Sequence, residues 1–188
     1  MVKNIFISAM LTIVLLVFAT AQEKKSTEPP KPAQSLSQEL LWGWNSVGNK
    51  LIAMAEDFPE EKYGFRAQKD ERTFGGNLLH VAFVYTYVIK SIEGTPIEYG
   101  GEDSLQKKYP AKTDIVNYLK QAVAEGANLI NAQGDSVSTR EYKSWGNRMV
   151  HVSSGLMGAV EHAGEHYGQL VVYYRLNEMV PPQSRPRK

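Results

Sequence analysis

Residues 149–177, MVHVSSGLMGAVEHAGEHYGQLVVYYRLN, form the clearest helical pattern in this sequence. The apolar residues of this stretch recur at steps of three and four, which places them on one side of a helix. They are Leu156, Val160, Ala163, Tyr167, Leu170 and Tyr174. Pro181 and Pro182, which cannot continue a helix, follow the pattern. The segment is therefore predicted to be a long amphipathic helix, the fourth of the chain.

Three more helices are predicted upstream of this segment. Each has an apolar stripe with helical spacing and local signals for its start and its end. The predicted bounds are Ser35 to Pro59, Thr73 to Ser91, and Thr113 to Gly134. In the first of them the stripe consists of Leu40, Trp44, Val47, Leu51, Met54 and Phe58.

Four amphipathic helices without a convincing strand pattern predict an all-α four-helix bundle over residues 36–182. The second and third helices are joined by residues 94–110, a polar connection that contains Tyr99-Gly100-Gly101. This connection is long enough to cross the bundle, so a long crossover is expected. Loops of such length are often functional or cover a site.

The first 21 residues have the pattern of a secretory signal peptide. Lys3 is their only charged residue, an apolar run extends from Ile5 to Phe18, and Ala19-Thr20-Ala21 supplies small residues for an exporting peptidase. We expect cleavage before Gln22. The alternative is an uncleaved N-terminal anchor, although the run is shorter than the ~20 residues of a spanning helix.

Two further segments are predicted to lie outside the folded domain. Residues 22–35 are rich in Lys, Glu, Ser and Pro and are expected to form a disordered linker. Residues 183–188 are expected to form a flexible tail. With the signal peptide removed, the protein is predicted to be periplasmic or extracellular and to have no stable membrane span.

The charge balance argues against nucleic acid as a partner. The 188 residues include 21 Lys and Arg and 20 Asp and Glu, and removal of Lys3 with the signal peptide makes the two counts equal. A neutral protein has no general attraction to a polyanion. The chain has no cysteine, so any bound metal must be held by nitrogen and oxygen atoms.

The chain has four histidines, and two of them, His162 and His166, lie four residues apart in the predicted fourth helix. Residues at this spacing share a helix face, with Cβ atoms about 5–6 Å apart. Two imidazoles in that arrangement can bind one metal ion. Core or surface histidines also show this spacing by chance, so the pair alone leaves that alternative open.

The other two histidines are His80 and His151. His80 lies in the apolar run Leu78–Phe83 of the second helix, which predicts a buried ring. A lone buried histidine is more often a satisfied core residue, but beside an existing pair it becomes a candidate third ligand. His151 lies ~16 Å from His162 along a continuous helix and cannot share the metal. We interpret His151 as structural or as part of the mouth of a cleft.

Polar residues accompany the histidines on their helix faces. Asn77 lies one turn before the histidine of the second helix, and Gln169 and Tyr173 continue the polar face of the fourth. Asn77 and Gln169 are candidate cofactor-binding residues. Glu165 is a candidate general base or outer-shell partner of the metal, and Tyr173 is a second candidate for moving protons. The alternative is that these faces simply contact water.

Four stretches of the chain together resemble the DinB-like superfamily. They are Arg72-Thr73-Phe74-Gly75, Leu79-His80-Val81-Ala82, Glu161-His162-Ala163-Gly164-Glu165-His166-Tyr167-Gly168-Gln169-Leu170 and Pro181-Pro182. The resemblance spans about residues 36–182 and is most specific in the last helix.

The resemblance implies a bundle with a long crossover and a divalent metal, in most members zinc or nickel, with water completing the shell. Carried over, the metal ligands are His80, His162 and His166. Characterised members include transferases that use small thiol cofactors and a thiol-dependent isomerase, and others are described as metal-dependent hydrolases. Many members have Arg after the second histidine of the pair, where this chain has Tyr167. The predicted export also departs from the cytoplasmic thiol-dependent members.

Three hypotheses of different classes follow. The first is a metal-dependent enzyme, of hydrolase or thiol-dependent transferase type, whose three imidazoles leave an open position for water. The second is a non-catalytic metal or small-ligand binding protein outside the cytoplasm, with a shell closed by Glu165 or Gln169. The third is a plain structural bundle, which predicts that His80 lies far from the other two. The substrate is expected to be an unidentified small molecule, and a homodimer is left open.

Overall fold

The computed structural model describes residues 35–186. The helices within these residues are α1 Leu36–Asp57, α2 Phe74–Ile92, α3 Glu102–Lys108, α4 Lys112–Gln133 and α5 Val152–Leu176. A two-stranded antiparallel hairpin is formed by β1 Glu141–Lys143 and β2 Met149–His151. Short 3-10 turns cover Glu60–Lys62, Gly134–Ser138, Trp145–Asn147 and Pro182–Ser184. The predicted all-α four-helix bundle is confirmed, with α1, α2, α4 and α5 as its long helices.

The first two long helices begin at the capping residues that the sequence predicts. The hydroxyl of Ser35 accepts a hydrogen bond from the backbone N–H of Gln38, and the Gln38 side chain accepts one from the N–H of Ser35. The hydroxyl of Thr73 accepts one from the N–H of Gly76 at 2.9 Å. Each cap satisfies a backbone donor that lacks a partner inside the helix, and this fixes where α1 and α2 begin.

Trp44 is the central residue of the core. Its indole is fully buried, stacks on Tyr85 of α2 with ring centroids 4.0 Å apart, and donates to the carbonyl of Val123 in α4 at 2.9 Å. Gly126 of α4 lies directly against this ring, where even a methyl group would overlap the indole. One side chain of α1 thus connects α1 with α2 and α4, and the remainder of the predicted α1 stripe is buried beside it.

The helix order explains the long crossover. Helix α1 packs against α4 and α5, and α2 packs against the same two helices, so that α1 and α2 lie diagonally opposite. Ile115 at the start of α4 lies beside Gly75 at the start of α2, so these two neighbours run parallel. A parallel pair needs a connection that returns along the bundle, and residues 93–111, which include α3, provide it.

The sequence pattern does not predict the hairpin between α4 and α5. Its strands have three residues each, with Tyr142 paired to Val150, and such short strands show no alternation. Since Met149–His151 belongs to β2, α5 begins at Val152, three residues after the predicted start. His151 is exposed at the end of the strand, and not within a continuous helix as the sequence suggested.

Three predicted segments lie wholly or partly outside the described residues. The signal peptide at residues 1–21 and the linker, apart from Ser35, lie outside the described residues. Residues 187 and 188 of the predicted tail do too, whereas residues 183–186 are described. None of the helices in residues 35–186 combines the length and the apolar character that crossing a membrane requires.

The described part of the tail is attached to the end of α1. Arg185 donates to both carboxylate oxygens of Asp57, at 2.7 and 2.5 Å, and Tyr174 donates to the same carboxylate at 3.2 Å. The guanidinium of Arg185 holds the pKa of Asp57 below its ordinary value of 3.8. The ionised carboxylate therefore stabilises the folded state.

This contribution is expected to disappear in acid. Because the pKa of Asp57 is lower in the folded than in the unfolded chain, its stabilising effect is present above about pH 4 and is lost as the pH falls through the folded-state pKa. The pair is partly exposed, so Asp57→Asn is expected to reduce the free energy of unfolding at pH 7 by only about 0.5–1 kcal/mol. Urea unfolding at pH 7 and pH 3 measures this difference. A difference as large at pH 3 as at pH 7 would contradict the assignment.

Candidate metal centre

Helices α2 and α5 bring three histidine rings together, of which His166 is buried and His80 and His162 are half-buried. The two helices run antiparallel, so that residues 77 and 80 of α2 face residues 166 and 162 of α5. The Nε2 atoms of His80 and His162 lie 3.1 Å apart, and one ring nitrogen from each of the three rings lies within 4.8 Å of the others. The position that the structural-bundle hypothesis predicts for His80, far from the pair, is therefore wrong.

Asn77 determines which nitrogen of His166 faces the cluster. The Asn77 side chain is 1% exposed, and its Nδ2 donates to the carbonyl of Thr73 at 3.1 Å. Its Oδ1 must therefore be the atom that faces His166, and it accepts from His166 Nδ1 at 2.9 Å. A proton on Nδ1 leaves the Nε2 of His166 with a free lone pair. An amide oxygen thus orients this ring as the outer-shell partner of a metal ligand does.

The three imidazoles are held in the neutral state that metal binding requires. Burial, then the Arg72 guanidinium and His162, lower the pKa of His80 to about 4. Burial and the two neighbouring histidines, with a smaller effect of Arg72, lower the pKa of His166 to about 3, although the nearby Gln169 side chain acts in the opposite direction. Burial also lowers the pKa of His162. At neutral pH all three lone pairs are available to a cation.

The chemistry and spacing of these donors fit a bound divalent metal. Two nitrogens on one tetrahedral Zn²⁺, with bonds of about 2.0–2.1 Å, lie roughly 3.4 Å apart, and His80 and His162 are 3.1 Å apart. Without a cation, the two facing Nε2 atoms of His80 and His162 can share only one hydrogen bond. Within residues 35–186 the cluster contains these histidines and no carboxylate.

Glu165 lies at the outer edge of the cluster. Its side chain is 66% exposed, and its Oε2 is 3.8 Å from Nδ1 of His162, the ring nitrogen that points away from His80. This distance is too long for a hydrogen bond. The position suits an outer-shell carboxylate rather than a fourth ligand, and the predicted role of Glu165 as a general base stays a prediction.

Tyr173 and Gln169 occupy different environments on the next turns of α5. The Tyr173 ring is 3% exposed, and its hydroxyl donates to the backbone carbonyl of Arg72 at 2.6 Å. Gln169 is exposed and lies beside His166. Tyr173 therefore anchors the segment before α2. Its predicted part in proton transfer and the predicted cofactor contact of Gln169 stay predictions.

Two residues near the centre were not among the candidate ligands or catalytic groups. Arg72 forms an ion pair with Glu102 at the start of α3, and its charge lowers the pKa of all three histidines. The ring of Tyr99, in the crossover, lies 6.4 Å from the ring of His80. The length of the crossover and its Tyr-Gly-Gly sequence were the only sequence signals that this segment covers a site.

His151 lies apart from the cluster. It is exposed, ends strand β2 opposite Glu141, and precedes the first residue of α5. The expectation that it does not share the metal agrees with this position.

The sequence profile of the DinB superfamily matches residues 44–170. The chain belongs to the DinB superfamily. A crystal structure of a DinB-like protein from Bacillus cereus ATCC 10987 is similar in fold, with a TM-score of 0.61 and 18% sequence identity. The similarity covers 76% of this chain and 93% of that one. None of the curated proteins compared with the chain matches it. The resemblance inferred from the sequence motifs is therefore confirmed, and this DinB-superfamily member carries the three clustered histidines on α2 and α5.

Substitution of Asn77 tests the orientation of His166. Asn77→Leu removes the acceptor for His166 Nδ1 and is expected to weaken Zn²⁺ binding about 10–100-fold, the usual effect of losing an outer-shell partner. Asn77→Asp is the matched control, because it retains an oxygen acceptor and should keep the affinity within a few-fold. Competition with a chromogenic chelator measures both affinities. Equal affinities for the leucine variant and the unmutated protein would rule out this role.

Proposed function

We propose that this protein is an exported metal-dependent enzyme, of hydrolase or thiol-dependent transferase type, that acts on a small molecule. In this proposal His80, His162 and His166 hold one divalent metal, zinc or nickel, and leave an open position. The observation that carries the proposal is the convergence of three neutral imidazoles whose facing nitrogens lie within 4.8 Å of one another. Membership of the DinB superfamily supports it.

In this proposal the residues around the metal have different roles. A divalent ion with three imidazole ligands supplies Lewis acidity and an exchangeable coordination position. Asn77 keeps the Nε2 lone pair of His166 directed at the centre. Tyr173 and Glu102 hold Arg72, through its backbone and its side chain respectively, and so keep a positive charge beside the site. Glu165, on the solvent side of His162, would take up a proton that leaves the site.

A non-catalytic metal or small-ligand binding protein is the second candidate, and one observation favours it. Neither candidate proton carrier lies beside the facing nitrogens, since the hydroxyl of Tyr173 is bonded to a backbone carbonyl and Glu165 lies on the outer side of His162. The open metal position distinguishes the two candidates. An enzyme needs that position, whereas a storage or transport site with a closed shell does not.

Cobalt substitution tests the proposal. The mature protein, residues 22–188, is loaded with Co²⁺, its metal content is measured, and a small thiol such as 2-mercaptoethanol is added. An open position predicts about one equivalent of metal and a new charge-transfer band when the thiolate binds. A spectrum unchanged by thiol and by azide indicates a closed shell and the binding function. A protein that takes up no Co²⁺ or Zn²⁺ at neutral pH would exclude the metal-dependent enzyme and the metal-binding form of the second candidate.

Export is tested separately in cells. The full-length chain carrying a C-terminal tag is expressed in a bacterium, and the periplasmic and medium fractions are compared with the cytoplasm. The proposal expects a product that begins at Gln22 outside the cytoplasm. A product that retains residues 1–21 in the membrane fraction would instead support the uncleaved anchor.

A further inference from the structure

An apolar groove of about 280 Å³ begins one helical turn away from the three histidines. Its walls come from α2, the hairpin and α5, and the residues that line it include Val84, Tyr87, Trp145, Val150, Gly158 and Ala159. No charged side chain is among the described residues that line it. The groove is therefore suited to an uncharged, apolar group.

The antiparallel arrangement of α2 and α5 places this groove next to the candidate metal centre, although none of the three histidines is among the described residues that line it. Val84 follows His80 by four residues, and Gly158 precedes His162 by four. On antiparallel helices both steps lead in the same direction, along the same faces, for about 6 Å. A molecule bound in the groove would thus have one end at the imidazoles.

A row of aromatic rings follows the same path. The ring of Tyr99 lies 6.4 Å from that of His80 and 4.8 Å from that of Phe83. Phe83 lies 6.1 Å from Tyr87, whose ring is 4.9 Å from that of Trp145. These spacings are typical of interacting aromatic pairs. The row ends at Trp145, which is 62% exposed although it is a large apolar residue.

Small residues on α5 keep the opposite wall open. A Cβ atom at Gly158 would meet no other atom within 4 Å, which means that the space in front of it is free. Gly155, one turn earlier, is instead filled by the hydroxyl end of Tyr142, which a larger residue at 155 would displace. Gly158 is exposed and lines the groove, so a larger side chain at this position has open space to occupy.

We infer that the groove binds the tail of a small molecule whose polar head reaches the three histidines, and that this tail is a flat aryl or short alkyl group. The position of the head rests on the proposed function, whereas the tail site rests on the groove itself. Tyr87 and Trp145 stack on the tail, and Gly158 leaves the room for it. This assigns the substrate class as an amphiphilic small molecule with an apolar end.

Gly158→Leu fills the groove without disturbing the helix or the histidines. Leucine favours a helix far more than glycine does, and the variant meets no neighbouring atom at Cβ. Side chains on a helix point toward its N-terminus, so the new leucine extends toward residues 154 and 155 and away from His162. Gly164→Leu is the matched control, because Gly164 is an exposed glycine of the same helix, also free of neighbours within 4 Å, and does not line the groove.

The first experiment compares two zinc-binding probes by calorimetry on the zinc-loaded mature protein. Acetohydroxamate carries only the chelating head, and 4-phenylbutanohydroxamate adds an aryl tail. The tail is expected to tighten binding about tenfold or more through the apolar area it buries. Gly158→Leu should abolish this gain and leave the metal content and the acetohydroxamate affinity unchanged, while Gly164→Leu keeps the gain. An undiminished gain in Gly158→Leu would overturn the inference.

The second experiment tests the groove without a bound metal. Metal-free protein is titrated with 4-phenylbutan-1-ol, which has the tail and no chelating head, and the indole N–H resonance of Trp145 is followed by NMR. The resonance is assigned with Trp145→Phe. A saturable shift that Gly158→Leu suppresses and Gly164→Leu retains supports the groove even if no metal binds. No shift, or a shift that both variants retain, overturns it, and leaves the metal proposal to its own tests.

Discussion

Replacing His80 with alanine is expected to lower bound zinc from about one equivalent to less than roughly a tenth, because an open three-histidine site has no spare ligand. In the proposed site, His80 is the one ligand that α2 supplies, and its Nε2 lies 3.1 Å from that of His162. Losing even an outer-shell partner costs 10–100-fold in affinity, so loss of a direct ligand should exceed about 100-fold. His162→Ala and His166→Ala are expected to behave in the same way.

Metal analysis after gel filtration measures this loss, and His151→Ala serves as the matched control because His151 is exposed outside the cluster. A second readout is thermal stability. A ligand that binds the folded state alone adds about 2.7 kcal/mol at 100 times its dissociation constant, so excess zinc should raise the melting temperature of the unmutated protein and of His151→Ala. It should leave that of His80→Ala unchanged. One equivalent of zinc in His80→Ala would refute the assigned ligand set.

Gly126→Ala is expected to reduce the free energy of unfolding by about 3 kcal/mol, at the upper end of the usual cost of overfilling a packed core. The added methyl group would overlap the Trp44 indole. That ring cannot withdraw, since it is fully buried, stacks on Tyr85 and is hydrogen-bonded to the carbonyl of Val123. Either the indole must leave its position or α4 must move away from α1.

Urea denaturation of the metal-free protein measures this effect, with Gly164→Ala as a control of opposite sign. Gly164 is an exposed glycine in α5 with free space around it, and alanine there should raise stability by about 0.5–1 kcal/mol through helix propensity. Equal changes in the free energy of unfolding in the two variants would show that contact with Trp44 does not limit the size of the side chain at position 126.

Local features of the fold could be predicted because they depend on neighbours in the sequence. The caps at Ser35 and Thr73 and the apolar stripe of α1 each involve residues within a few turns of one another. The bundle order depends instead on which helix faces meet, and α1 and α2, although consecutive, are diagonal. The hairpin escaped prediction because strands of three residues carry no periodic signal.

The candidate site, too, could be predicted only where it depends on residues close together in the sequence. The spacing of His162 and His166 on one helix is visible in the sequence, and His80 could be added from its apolar surroundings and from the family resemblance. The proximity of Arg72 and Tyr99 to His80 could not be predicted from the sequence. Both residues lie in connections whose course is set by tertiary packing. The proton position on His166 follows only from the two hydrogen bonds of Asn77, and the one to His166 joins residues 89 apart.

The separation of the ligands along the chain has a consequence for biosynthesis. His80 and His162 are 82 residues apart, and no contact between them can form until α5 has been synthesised and docked. A nascent chain that ends in α4 would carry a single histidine of the cluster. If the three histidines bind a metal as proposed, the complete ligand set exists only after α5 has docked, so the ion would be taken up in the compartment where the bundle folds.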